Sequence, residues 1–145
     1  MTNFKHYEGW ELPFFDKEKN FREYQLTILK KHINGAVAEI GPGNGSLCEK
    51  YLDLTDNIFL FEPSINLYKN LNIKFKGLDK VTVVNNEFKP SGHKFDCILL
   101  MDVIEHIEDP SELLMQAKES LNQNGKILIN VPAFQHLYSK FDRDV

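Results

Sequence analysis

The chain has 145 residues, 42% of them apolar, with 17 basic and 21 acidic residues for a formal net charge of −4. That length encloses one ordinary core; without any Lys/Arg block the composition excludes an electrostatic footprint for nucleic acid, so a small-molecule partner and no nucleic acid are expected. The opening "MTNFKHYEGWELPFFDKEKN" lacks the apolar centre of a signal peptide, and no later run reaches the roughly 18 apolar residues of a membrane span, so a soluble, cytoplasmic protein is expected.

Residues 1–16 read as an N-terminal arm, in which Trp10, Phe14 and Phe15 serve either as a lid or acceptor wall or as an aromatic cluster packed on the sheet. Over 17–33, Phe21, Tyr24, Leu26, Ile28 and Leu29 recur at approximately helical spacing, and Asn34-Gly35 closes the run. "AVAEI" is a short buried strand, followed by a turn with glycine at 41, 43 and 45 and then by "SLCEKYLDL", whose Leu47, Tyr51, Leu52 and Leu54 fit a helix face. "NIFLFEP" reads as a second strand, "SINLYKNLNIKF" as its helix, "KVTVVNNEF" as a third strand and "KFDCILLMDV" as a fourth with a continuous apolar centre. "SELLMQAKESLNQNG" is an amphipathic helix ended by glycine, and "KILINVP" a fifth strand stopped by proline. Cys48 and Cys97 are too few and too separated for a disulfide framework or a zinc cluster and read as reduced packing residues. Strands alternating with helices over one domain, 1–145, predict an α/β fold with a mainly parallel sheet covered on both faces, its ligand gathered at the carboxyl ends of the strands.

The glycine turn lets a ligand approach bare main chain. Gly41, Gly43 and Ser46 also fit a dinucleotide fingerprint, with Glu62 about 20 residues on for a ribose contact, which keeps an NAD-dependent oxidoreductase among the readings. Charge separates the two. A pyrophosphate at a helix N-terminus wants positive potential, whereas Glu39 ends the strand here and no Lys or Arg follows it before Lys50. A cationic ligand such as S-adenosylmethionine suits a strand-end carboxylate, with a second carboxylate for its ribose diol.

"EIGPGNG", "FLFEPS", "FDCILLMDVIEHIEDP" and "LNQNGKILINVP" together resemble, in order and spacing, the class I S-adenosylmethionine-dependent methyltransferases, and most of all the small-molecule branch that includes quinone-biosynthesis and polysaccharide-associated enzymes. The resemblance covers roughly residues 20–145 and implies a Rossmann-like, doubly wound sheet of order 3-2-1-4-5. It implies that Glu39, Gly41, Gly43 and Gly45 line the methionine part of the cofactor and that Glu62 holds the ribose hydroxyls, flanked by Pro63 and Ser64. Glu87 takes the place of the aspartate that commonly meets the adenine amine, with Phe88 as a ring neighbour, and Met101 and Asp102 come near the sulfonium and the acceptor. The implied reaction is methyl transfer to oxygen, nitrogen or carbon of a small acceptor.

His106 is either a general base for that acceptor or a structural residue. Asp102 stands three residues before Glu105 in capping-box position, which makes it a helix cap as well as a cofactor neighbour. Asp102, Glu105, His106, Glu108 and Asp109 share one short stretch and cannot all converge, so no metal is expected. Members of that branch continue into a further helix and two more strands. The sequence stops at Val145, so a C-terminally incomplete domain is expected, one that keeps the cofactor half, loses part of the acceptor pocket and leaves "KILINV" as an apolar edge open to a second copy. A catalytically impaired cofactor-binding fragment or interaction module is the corresponding alternative.

Overall fold

The computed structural model describes residues 19–132. The arm expected over 1–16, with Trp10, Phe14 and Phe15, lies outside them. The chain runs α1 (Lys19–Leu29), a 3₁₀ turn (Lys30–His32), β1 (Ala36–Ile40), α2 (Cys48–Tyr51), a 3₁₀ turn (Leu52–Leu54), β2 (Asn57–Phe61) and α3 (Ile65–Lys74). It continues with β3 (Val81–Val84), β4 (Phe95–Met101), a 3₁₀ turn (Ile104–His106), α4 (Pro110–Glu119) and β5 (Leu121–Asn130). All four pairings are parallel, in the order β3-β2-β1-β4-β5. This is the expected doubly wound sheet, and its order reverses between β1 and β4, where open α/β sheets place their ligands.

The period-2 alternation of β1 divides the core. Val37 faces one side, packed with Leu47, Cys48 and Tyr51 from the segment after the glycine turn and with Leu71 and Phe75 at α3; Leu26 and Leu29 of α1 close over the same cluster. Ala38 and Ile40 face the other side, with Phe61, Phe88, Phe95, Leu113 and Ala117. Strand β4, paired on both edges, has Ile98, Leu99 and Leu100 fully buried, which is why it reads as an uninterrupted apolar run; each such side chain contributes about 1.5–3 kcal/mol by leaving water. Its one charged residue, Asp96, accepts from Ala36 N at 2.8 Å and from Asn122 Nδ2 at 2.8 Å, fastening the starts of β1 and β5 to the central strand.

Three expected boundaries move. The third strand ends at Val84 rather than at Phe88, because the Asn85 amide turns back to donate to the carbonyls of Glu62 (2.9 Å) and Pro63 (3.2 Å). The helix expected to run to Gly125 stops at Glu119, and "LNQNG" opens β5 instead. There Phe95 pairs with Leu121 but Cys97 with Lys126, so the intervening residues loop out as a bulge, with Asn124 at φ 68°. The apolar face expected of α1 is split: Leu26 and Leu29 are inside, whereas Phe21, Tyr24 and Ile28 are exposed. Strand β5 is an edge of the described sheet, with Ile129 and Val131 exposed.

Candidate functional site

The carboxyl ends of β1, β2 and β4 converge on the turn after β1. Gly41, Gly43 and Gly45 have φ of 65°, 57° and 74°, a region that costs an L-residue roughly 1–2 kcal/mol. At Gly41 there is a second constraint, since a methyl group would stand 2.8 Å from Val103 Cγ2. At Gly45 a methyl would meet Leu71 Cδ2 and Phe75 Cε2, both at 2.8 Å, so this glycine answers to the packing of α3 as well as to the turn.

Glu39 occupies the penultimate position of β1 and is 2% exposed. Its Oε2 accepts from the Tyr51 hydroxyl at 2.5 Å. Burial raises its carboxyl to about 7, against the lowering effects of that hydrogen bond and of the Arg22 charge. Tyr51 is itself fully buried, and burial, with the Glu39 charge second, holds its phenol well above the ordinary range. Glu62 follows β2 and is 5% exposed; its Oε1 accepts from Ser64 N at 2.8 Å, and the Gly43 N–H, near it, favours the ionised form. Burial again dominates and raises Glu62 to about 7. The glycine turn and Glu62 are therefore neighbours. Pro63 is exposed, and Ser64 is buried at the start of α3.

At the end of β4, Met101 is buried against the Glu39 side of the sheet, and Asp102 adopts φ 57°, a left-handed conformation that aspartate tolerates better than most residues. The capping box expected at Asp102 does not form: Val103 is the cap of the following 3₁₀ turn and makes no side-chain cap bond. The Asp102 carboxylate is drawn elsewhere, accepting from Asn130 Nδ2 on β5 (2.5 Å) and facing Arg22 Nη1 on α1 (3.9 Å). His106 is exposed on the 3₁₀ turn. Asp109 caps α4 by accepting from Glu112 N at 3.0 Å, and among the described residues no group of three or more His, Cys, Asp or Glu side chains could hold a metal ion. Glu87 is exposed just beyond β3, its amide bonded to Asn86 Oδ1. Phe88 departs from expectation. Its ring is 3% exposed, roughly perpendicular to Phe61 at 4.9 Å and tilted against Phe95 at 6.4 Å, inside the aromatic core.

Reasoning along the sequence missed five site residues: Arg22, Gln25, Tyr51 as a hydrogen-bond donor, Asn85 and Asn130. It also missed Lys74, which donates to Asn44 O at 2.9 Å and pairs with Glu49 at the same distance, so the turn does have a cation beside it, already matched by an acid. Arg22 reaches the strand ends from α1. None of these contacts carries a local signal.

Residues 15–143 match the family model for a methyltransferase domain. A tRNA U34 carboxymethyltransferase of Campylobacter jejuni (strain RM1221) is 31% identical over 130 residues, covering 83% of this chain and 43% of that protein. Uncharacterized protein MJ1123 of Methanocaldococcus jannaschii is 28% identical over 128 residues, covering 86% of this chain and 57% of that protein. The chain thus spans about half the length of these relatives. Among solved structures, an S-adenosylmethionine-dependent methyltransferase from Clostridium acetobutylicum superposes with a TM-score of 0.66 at 16% identity, over 83% of this chain and 53% of that one. The DhpI–SAH complex gives 0.67 at 17% identity, over 82% and 62%. These likenesses establish the fold.

Proposed function

We propose that this chain, which belongs to the family of methyltransferase domains, binds S-adenosylmethionine at the ends of β1, β2 and β4 and transfers its methyl group to a small-molecule acceptor in the cytoplasm. The observation that carries the reading is the pair of buried acids at the ends of neighbouring strands: Glu39 and Glu62 are 2% and 5% exposed, with the glycine turn between them. A buried carboxylate is costly unless something pairs with it, and a ligand with a positive amino-acid end and a ribose diol satisfies both. In this reading Glu39, Gly41, Gly43 and Gly45 hold the methionine part, Glu62 the ribose with Pro63 and Ser64 beside it, Glu87 the adenine edge, and Met101 and Asp102 the neighbourhood of the sulfonium. When bound, S-adenosylmethionine supplies an electrophilic methyl group on an already activated leaving group, so the chain's own residues are left to align and to exclude water. In the same reading His106, exposed on the 3₁₀ turn after β4, takes a proton from a hydroxyl acceptor.

A second acceptor is favoured by one observation, the naming of the Campylobacter relatives as tRNA U34 carboxymethyltransferases: a transfer RNA base in place of a small molecule. The edge of β5 offers a pairing surface for a second copy, which sedimentation at rising concentration measures. Calorimetric titration with S-adenosylmethionine tests the donor. Each of Glu39→Gln and Glu62→Gln weakens binding by about tenfold or more, as expected for a charge-assisted hydrogen bond of about 1.5–3 kcal/mol. Undiminished affinity in the double variant sinks the reading. Methyl transfer assayed separately with bulk tRNA and with a small-molecule extract separates the two acceptors.

A further inference from the structure

Glu39 shares a face of β1 with Val37, two residues before it, and that face looks into the cluster where Leu47, Cys48 and Tyr51 pack. Tyr51 ends α2, and its side chain is 0% exposed. A phenol buried so deeply needs a hydrogen-bond partner at its tip. The partner is Glu39, whose Oε2 accepts from the hydroxyl at 2.5 Å. Among the described residues Oε2 is the oxygen held in this way, which leaves Oε1 to a ligand. The strands on either side add no charge, since Glu39 stands between Leu60 of β2 and Leu99 of β4. From α1, Arg22 lowers Glu39 through its charge, but its Nη1 donates to Gln25 Oε1 at 2.7 Å and lies 3.9 Å from Asp102 Oδ2, so that charge is shared. From α2, the Cys48 thiol is kept neutral by burial, and Lys74 and Glu49 act on that thiol. Against burial, the Tyr51 hydrogen bond is the largest influence that favours the charged carboxylate, ahead of Arg22.

We propose that Tyr51 is a positioning residue for the donor: by donating to Oε2 it fixes Glu39 as the ionised partner that meets the ammonium of the donor's amino-acid end through Oε1. The proposal rests on the S-adenosylmethionine reading above. An ammonium gains from Glu39 when the acid is charged, so a ligand arriving at a protonated Glu39 must first expel the proton. Affinity for the amino-acid end therefore rises as pH climbs through about 7, where burial has placed this carboxyl. Without the hydroxyl the same rise comes at higher pH, because a hydrogen bond to the charged form is lost.

The test is calorimetric titration of the full chain, at pH 6 and pH 9, with S-adenosylhomocysteine and with 5′-methylthioadenosine. Both carry adenosine and a thioether, and the first adds the amino-acid end. Their affinity ratio isolates Glu39, since the titration of Glu62 affects both compounds through the ribose. Tyr51→Phe lowers the ratio about tenfold at pH 6, the equivalent of an upward move of about one pH unit in Glu39, and by less at pH 9. Glu39→Gln removes the pH dependence of the ratio, and adding Tyr51→Phe to it changes the ratio no further. Circular dichroism checks folding. Should Tyr51→Phe fail to fold, 3-fluorotyrosine at position 51, a stronger donor of nearly the same size, raises the wild-type ratio at pH 6 severalfold, and an unchanged ratio overturns the proposal. An unaltered ratio in Tyr51→Phe overturns it too, as does an equal loss of both compounds or an equal loss at both pH values, any of which leaves Tyr51 a packing residue. Wild-type protein that binds neither compound removes the donor assignment and the role of Tyr51 with it, whereas a discriminating wild type with an indifferent Tyr51→Phe removes the role of Tyr51 alone.

Discussion

At the end of β2, Glu62 is held by main chain, its carboxylate accepting from Ser64 N with the Gly43 N–H favouring its charge; at the end of β1, Glu39 is held by side chains, the Tyr51 hydroxyl and the more distant Arg22 charge. Both are pushed to about 7 by burial. The difference lies in what each acid depends on. Glu62 follows the local geometry of a turn that glycines permit, whereas Glu39 depends on α1 and on the segment after the turn being packed in place. Backbone partners come with the fold of a few adjacent residues, and side-chain partners come only with the tertiary structure.

The largest test of this contrast is pH. A carboxylate raised in the folded state holds its proton while the unfolded chain has already lost it, so its stabilising contribution is full below 4.5, the ordinary value, and is lost as pH rises to about 7. The ligand-free protein is therefore expected to lose stability over that interval, by on the order of 3 kcal/mol for each acid. Urea unfolding at pH 5 and pH 7.5 measures the fall; Glu39→Gln and Glu62→Gln each flatten their own share, and a flat wild-type profile contradicts the burial argument.

Next in size is Gly45→Ala. It imposes a left-handed alanine and drives a methyl into Leu71 and Phe75, costing about 2–4 kcal/mol. Because the turn neighbours Glu62, ligand affinity in this variant should track that of Glu62→Gln more closely than that of Glu39→Gln. Tyr51→Phe is smaller, about 1–2 kcal/mol. It should move the titration of Glu39 upward while leaving that of Glu62 in place, which carboxyl carbon NMR shifts followed against pH resolve. Smallest is Asn85→Ala, which frees the carbonyls of Glu62 and Pro63 for about 1 kcal/mol, seen as a lower unfolding midpoint with Glu39 unaffected.

The same division explains what the sequence disclosed. The alternation of strands and helices, the glycine turn and the two strand-end acids are carried by residues close together in the chain, so period and spacing reveal them; the sheet order, which pairs β1 with the distant β4, is implied only by the family resemblance. Arg22 is invisible to such reading because its partner Asp102 is far along the chain, and Asn130 is a strand residue whose amide matters only because β5 pairs with β4. Phe88 misleads for a related reason: it follows the third strand at the distance where a ligand-facing residue is expected, yet Phe61 and Phe95 draw its ring inward. The capping box at Asp102 had the right spacing and lost to a partner on another strand. The early start of β5 was hidden because Asn124-Gly125 has the composition of a helix stop, while in the fold it belongs to a bulge.

Cys48 and Cys97, the chain's two sulfhydryls, are both 0% exposed, and burial lifts the Cys97 thiol to about 12 and that of Cys48 higher still. Little thiolate is presented to reagents at neutral pH, so the native protein offers maleimides a silent background. One cysteine introduced at exposed Gln123, in the β5 bulge away from the strands' carboxyl ends, gives a single attachment point for a fluorophore.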